Sequence, residues 1–194
     1  MNERRFDASL AHRLDQPDRL LWLPPQEVIA ALDLHAGQTV ADIGAGTGYF
    51  TLPMAAAVGA TGRVLALDAQ PEMLAHLGKK LDSCSAAPVE LVHAEADATT
   101  LPDGCCDLAL LANVWHEFSD RAAVLAEVRR ILKPGGRIAL LDWRPDVERI
   151  EGPPLDHRLS AASAFAELAV AGFSAATQAT VGKYSWLVLA VLEG

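Results

Sequence analysis

The chain has 194 residues, 51% hydrophobic and 21% charged, which suits a globular protein long enough for one domain with a substantial core. Lys and Arg number 16 against 25 Asp and Glu, a net charge of −9, and the basic runs Arg4-Arg5, Lys79-Lys80 and Arg129-Arg130 are short. That balance argues against sequence-independent binding to nucleic acid, which needs clustered cations.

The three cysteines, Cys84, Cys105 and Cys106, cannot all pair with one another, and adjacent Cys105-Cys106 is no C-x-x-C knuckle, so free reduced thiols are expected. The six histidines show no metal-ligand spacing, so no metal is expected. The first sixteen residues, charged and broken by acids, do not read as a secretory signal. The longest apolar run, Trp186 to Leu192, is too short to insert across a membrane. A cytoplasmic protein is expected, with oligomeric state left open.

Residues 1–36 fall outside any alternation and are expected to form an N-terminal helical cap segment. From Gln38 onward apolar runs and helical patterns alternate. Thr39 to Ile43 reads as a strand and Tyr49 to Val58 as a helix ending at Gly59, with Pro53 tolerable only near its first turn. Arg63 to Asp68 reads as a second strand. Pro71 then opens a helix with Met73, Leu74, Leu77 and Leu81 on one face. Val89 to His93 and Asp107 to Ala112 read as strands three and four. Ser119 or Asp120 caps a helix carrying Val124, Leu125, Val128, Ile131 and Leu132. Lys133-Pro-Gly-Gly136 ends it, and Arg137 to Asp142 forms strand five. Residues 143–159, with Gly152-Pro153-Pro154, read as an insertion. A helix from Ser160 to about Ala171 closes on Gly172. Ser174 to Val181 and Tyr184 to Leu192 suggest a hairpin. Five strands alternating with helices imply a parallel sheet covered on both faces, into which the hairpin puts an antiparallel strand.

The most informative stretch is Val40-Ala-Asp-Ile-Gly-Ala-Gly-Thr-Gly-Tyr-Phe-Thr51. A buried strand feeds a glycine-rich turn at a helix N-terminus, a setting in which Gly44 takes backbone angles closed to other residues and Gly46 lets a ligand lie on the main chain. Asp42 supplies a carboxylate near the strand end where α/β sheets bind ligands. The third glycine, Gly48, comes one residue earlier than in a dinucleotide fingerprint. Asp68, at the end of strand two, is placed to accept from both hydroxyls of an adenosine ribose.

Together with Ala96-Asp97-Ala98, Leu101-Pro102, Ala112-Asn-Val-Trp-His-Glu-Phe118 and the run Ile131 to Trp143, this turn resembles the class I S-adenosylmethionine (SAM) dependent methyltransferases. The resemblance is to the small-molecule type related to the ubiquinone and menaquinone biosynthesis enzymes, and it covers Thr39 to about Trp143. It implies an α/β fold: a Rossmann-like open twisted sheet of seven strands, mostly parallel, with a closing antiparallel strand. It implies S-adenosyl-L-methionine as cofactor and S-adenosyl-L-homocysteine (SAH) as product. It also implies cofactor contacts from Asp42, Gly44, Ala45, Gly46, Thr47, Gly48, Asp68, Ala69, Met73 and Asn113. Asp97 is expected to accept from the adenine amino group, and the Ala98 amide to donate to a ring nitrogen. Cys106 stands where the family commonly has an aromatic.

Methyl transfer asks the protein for alignment and exclusion of water, and for a base only when the nucleophile arrives protonated. His116, directly after strand four, is the best placed candidate base; a structural hydrogen bond at the start of a helix is its other reading. On a helix, adjacent His116 and Glu117 face different ways. Arg144 is a candidate for orienting an anionic substrate, and His157-Arg158, His12-Arg13 and Trp22 are candidates for the pocket mouth. The expected activity is in-line methyl transfer to a small molecule. A SAM-binding sensor without turnover and, less well supported, a nicotinamide-dependent oxidoreductase are the alternatives.

Overall fold

The computed structural model describes residues 5–81, 87–147 and 152–193. Arg4, Cys84 and positions 148–151 of the insertion lie outside the described residues. The first described element is a 3₁₀ helix, Ala8–Asp15, capped by the Asp7 carboxylate, which accepts from Ser9 N at 2.9 Å. Helices α1 (Arg19–Trp22) and α2 (Pro25–Leu32) follow. The core alternation is then β1 (Thr39–Ile43), α3 (Thr51–Val58), β2 (Arg63–Asp68), α4 (Pro71–Leu81), β3 (Val89–His93), β4 (Cys106–Ala112), α5 (Arg121–Ile131) and β5 (Leu132–Trp143). Helix α6 (Ala161–Val170) and the hairpin of β6 (Phe173–Val181) and β7 (Ser185–Leu192) complete it.

The seven strands form one sheet in the order β3-β2-β1-β4-β5-β7-β6. Strands β1 to β5 pair in parallel, and β7 runs antiparallel to both β5 and β6. The period-two alternation of strand side chains splits the core between the two faces. Ala41, Ile43, Leu65, Leu67, Leu111 and Leu140 meet α5 and α6 through Val124, Val128, Ala164 and Leu168. Val40, Val64, Leu110, Ala139 and Leu141 meet α2 and α3 through Val28, Leu32, Met54 and Val58. Chain order reverses between β1 and β4, and a crevice outside the carboxyl ends of the strands follows from that reversal.

Local chemistry sets the element ends. Pro53 sits in the first turn of α3, where its missing amide costs nothing, and Gly59 ends that helix at φ 66°. Asp120 caps α5 by accepting from Ala123 N at 3.0 Å, and Ser160 caps α6 by accepting from Ser163 N at 3.0 Å. One expected boundary is wrong. Helix α5 ends at Ile131, ahead of Lys133-Pro-Gly-Gly136, and the strand begins at Leu132 rather than Arg137, because Leu132 pairs with Cys106 before the register jumps to Leu108 opposite Arg137. The glycine-containing segment is an irregularity inside the β4–β5 pairing.

Candidate functional site

A cavity of about 510 Å³ opens at the carboxyl ends of β1, β2, β4 and β5, within the size range of small-molecule sites. Its floor is the glycine turn. Gly44, Gly46 and Gly48 all have positive φ, between 55° and 87°. At Gly44 an added Cβ would fall 2.7 Å from Val114 Cγ1, so the turn lies hard against the segment after β4. At Gly46 the nearest atom would be Leu14 Cδ1 at 3.5 Å, which leaves the main chain open to a ligand. Gly48 serves packing instead: its Cβ would meet Leu77 Cδ1 at 2.3 Å, and the residue does not line the cavity. Of the turn residues expected to touch the cofactor, those that line the cavity are Gly44, Ala45, Gly46 and Thr47.

Asp68 holds the turn from the neighbouring strand. One carboxylate oxygen accepts from Gly46 N at 2.8 Å and the other from Gln70 N at 2.9 Å. A carboxylate offers about four lone-pair sites, so two remain for ligand hydroxyls. Burial raises the Asp68 pKa, against the lowering effect of those two amides and Arg5. Asp42, fully buried on β1, accepts from Thr51 Oγ1 at 2.5 Å. Burial pushes its pKa up to about 7, with the Thr51 bond opposing and the Asp68 charge adding to the rise.

Asp42, Gly44, Ala45, Gly46, Thr47, Asp68, Ala69, Met73, Asn113 and His116 all line the cavity. Asp97 and Ala98 do not: both are exposed, and the Ala98 amide already donates to the Glu95 carbonyl at 3.2 Å. Glu95 and Ala96 line the wall in their place. Asn113 has φ 58°, a conformation asparagine tolerates better than most residues, and its amide continues the β4–β5 ladder to the Leu141 carbonyl at 2.7 Å. Among the described residues its buried Oδ1 has no hydrogen-bond partner, so an acceptor stands ready for a ligand donor. The open main chain at Gly46, the spare lone pairs of Asp68 and the orphaned Asn113 oxygen suit SAM, which brings ribose hydroxyls, an ammonium group and a sulfonium.

Beyond the turn, the 3₁₀ helix Trp115–Glu117 carries His116 into the wall. His116 is 6% exposed. Its Nδ1 lies 2.8 Å from Asp142 Oδ1, and its backbone amide donates to Asp142 Oδ2 at 2.9 Å. Trp143 N also donates to Asp142 Oδ1, at 2.7 Å. Burial by itself lowers the His116 pKa, but the hydrogen bond and charge of Asp142, then the charge of Glu117, outweigh it and leave it raised. Glu117 lies on the same side as His116, with Oε1 4.0 Å from Nε2, and both line the cavity. The expected divergence of these neighbours does not keep their side chains apart at the cavity wall. Burial pushes Glu117 up to about 7, with His116 pulling the other way.

The N-terminal segment covers the cofactor side. Thr47 Oγ1 and Lys80 Nζ each donate to Asp15 Oδ1 at 2.7 Å, Arg5 pairs with Glu95 at 2.9 Å, and Gln70 Nε2 donates to the Phe6 carbonyl at 2.9 Å. The insertion covers the other side. Arg158 donates to the carbonyls of Pro153, Arg144 and Val147 at 2.9, 3.2 and 2.6 Å, tying the loop back on itself. Trp22 and His157 line the cavity, and His12 does not. Arg144, a candidate for orienting an anionic substrate, pairs with Asp146 at 2.6 Å and does not line the cavity. Cys105 and Cys106 sit at the amino end of β4, far from this chemistry, with their sulfurs 3.5 Å apart. Among the described residues no cluster of three or more His, Cys, Asp or Glu is placed to hold a metal ion, and no helix is long and apolar enough to cross a membrane.

Comparison with known proteins identifies the cofactor. A family described as a methyltransferase domain matches residues 41–140, just over half the chain. A ubiquinone/menaquinone biosynthesis C-methyltransferase UbiE from Enterobacter sp. (strain 638) is 36% identical over 117 residues, 59% of this chain and 47% of that protein. A demethylmenaquinone methyltransferase from Shouchella clausii (strain KSM-K16) is 32% identical over 117 residues, 60% of this chain and 50% of that protein. The chain spans about half the length of these curated relatives. A SAM dependent methyltransferase from Aquifex aeolicus is similar throughout: its crystal structure superposes with a TM-score of 0.91 at 33% identity, covering 97% of this chain and 100% of that one. The nicotinamide alternative falls with these matches. Because the matched region runs from the glycine turn into β5 and holds both sides of the cavity floor, the chain belongs to the SAM-dependent methyltransferases, with S-adenosyl-L-methionine as its cofactor.

Proposed function

We propose that the enzyme transfers the methyl group of SAM to a small-molecule acceptor by direct in-line displacement, with His116 receiving the acceptor's proton. The observation that carries this reading is the buried His116–Asp142 pair in the cavity wall. Asp142 already accepts from two backbone amides, so it meets the ring as an acceptor, and Nδ1 therefore carries the proton. That fixes the tautomer and leaves Nε2 as the basic nitrogen. Bound SAM supplies an activated methyl group on its sulfonium. The chain's own part is to hold ribose hydroxyls at Asp68, take the cofactor's ammonium at Asn113, exclude water with its N-terminal segment and insertion, and accept one proton at His116 Nε2.

The size of the cavity favours a small acceptor over a macromolecular one, and Phe6, Trp22, Val114, Phe118 and Trp143 in its wall favour an acceptor with an apolar body. Residues 1–36 and 143–159 act here as cap and insertion around the cleft of one methyltransferase domain, working in the cytoplasm. The test is transfer of labelled methyl from SAM to a metabolite extract. Labelled product is expected from the native chain, and His116→Ala should keep SAH affinity within a few-fold while turnover falls by roughly 10²–10⁴. SAM binding without labelled product from any extract would favour a sensor. Undiminished turnover in the variant would mean that the acceptor arrives deprotonated and alignment alone carries the rate.

A further inference from the structure

Arg19 opens the short helix α1, yet it is only 8% exposed and lines the cavity. Its guanidinium carbon lies 3.9 Å from the ring centroid of Tyr49, the residue directly after the glycine turn. It lies 5.9 Å from that of Trp22, which stacks on Trp143 at 5.2 Å. Nη1 donates to the Leu14 carbonyl at 3.0 Å, while Nε is buried and, among the described residues, has no hydrogen-bond partner. The nearby carboxylate of Asp15 is engaged by Thr47 and Lys80. Among the described residues, Arg19 makes no ion pair. Burial pushes the guanidinium down to about 10, only partly opposed by Tyr49 and Asp15. A desolvated cation with open donors is costly to leave unpaired, and a planar guanidinium matches a carboxylate with two parallel hydrogen bonds.

We propose that Arg19 is the carboxylate anchor of the cavity: its free donors receive a carboxylate of a bound ligand, either the amino-acid end of the cofactor or an acidic group on the acceptor. Position supports both sources. Leu14, which Arg19 holds, is the nearest neighbour of the open face of Gly46 on the cofactor side. Trp22 and Trp143 lead from Arg19 towards Asp142, which holds His116 on the acceptor side. The cofactor source rests on SAM binding and the acceptor source on the small-molecule reading above.

Calorimetry on the full chain separates them, using SAH, 5′-methylthioadenosine (which lacks the amino-acid end) and benzoate added to SAH-saturated protein. If the cofactor's carboxylate is the ligand, Arg19→Met should weaken SAH about 10- to 100-fold and leave methylthioadenosine within twofold, with Arg19→Lys between. If the acceptor's carboxylate is the ligand, SAH affinity should hold while benzoate binding to the native chain disappears in Arg19→Met. Wild-type affinity of Arg19→Met for both SAH and benzoate would overturn the proposal, as would equal weakening of SAH and methylthioadenosine. Should Arg19→Met not fold, the native chain decides: equal affinity for SAH and its carboxamide, with no benzoate binding, overturns the proposal. A native chain that fails to bind methylthioadenosine would overturn the adenosine site and this proposal together, and so is told apart from a failure at Arg19 alone.

Discussion

Replacing Asp142 with Asn tests the His116 pair without changing its shape. The carboxylate takes three short bonds: Oδ1 accepts from His116 Nδ1 and Trp143 N, and Oδ2 from His116 N. An amide oxygen can keep the first two. Its NH₂ group must then face the His116 backbone amide, donor against donor, in a wall that is 1% exposed at this residue. Leaving one such buried donor unpaired costs about 1–3 kcal/mol, a loss of roughly 2–12 °C in Tm for a chain of this size. The electrical effect is separate. The Asp142 bond and charge are what hold the His116 pKa above its ordinary value, so Asp142→Asn should bring it down. A raised histidine pKa adds stability below the unfolded value, and that stability is lost as pH rises through the folded one. The variant should lose more stability at low pH than at high. The ring proton resonance of His116, followed by NMR against pH, checks this without any acceptor. A His116 that titrates identically in both proteins would refute the reasoning, whatever the melting temperatures show.

Gly48→Ala should destabilise the fold by about 1–3 kcal/mol in urea unfolding, because its Cβ falls 2.3 Å from Leu77 Cδ1 at a φ of 87°, while SAH affinity of the folded protein persists. Gly46→Val should do the reverse: far-UV circular dichroism stays native, and SAH binding is lost because the branched side chain occupies the ligand's place. Asp68→Ala should weaken SAH by roughly 1.5–3 kcal/mol in calorimetry. Asp42 and Glu117, both pushed up to about 7, bind protons in the fold that they release when unfolded, so stability should decline as pH rises from about 4 to 7. Their ionisation should also make SAM, which carries a sulfonium, gain affinity relative to neutral SAH between about pH 6 and 8. A SAM-to-SAH ratio flat across that range would contradict it.

The strands were legible because apolar runs are bounded by Gly, Pro and Asp: β1 stops before Gly44, β2 stops at Asp68, and β3 starts after Pro88. The same punctuation misplaced the start of β5: Gly135 and Gly136 interrupt a helix on paper, but only the presence of β4 alongside makes Leu132 a strand residue. Within the site, Gly46, Asp68 and His116 line the cavity as local spacing suggested, since each follows directly from a strand end. Arg19, Glu117 and the partner role of Asp142 depend on which elements meet in space. Nothing in the N-terminal segment distinguishes Arg19 from Arg13 until α1 folds against Tyr49. Arg144, three residues beyond the last buried leucine of β5, is drawn off by Asp146, a competition invisible to spacing.

The bulge in the β4–β5 pairing gives that pair one forgiving end and one exacting end. Around Lys133 to Gly136 the two strands are already out of step, so a residue gained or lost there changes the size of a loop and leaves the ladder from Leu108–Arg137 to Ala112–Leu141 untouched. A residue gained between Ile138 and Leu141 would turn Asp142 to the opposite face and part it from His116. Length variation among descendants of this sequence should therefore collect at the amino end of β5. Loops grafted for engineering belong there too, with the chemistry at the far end of the same strand undisturbed.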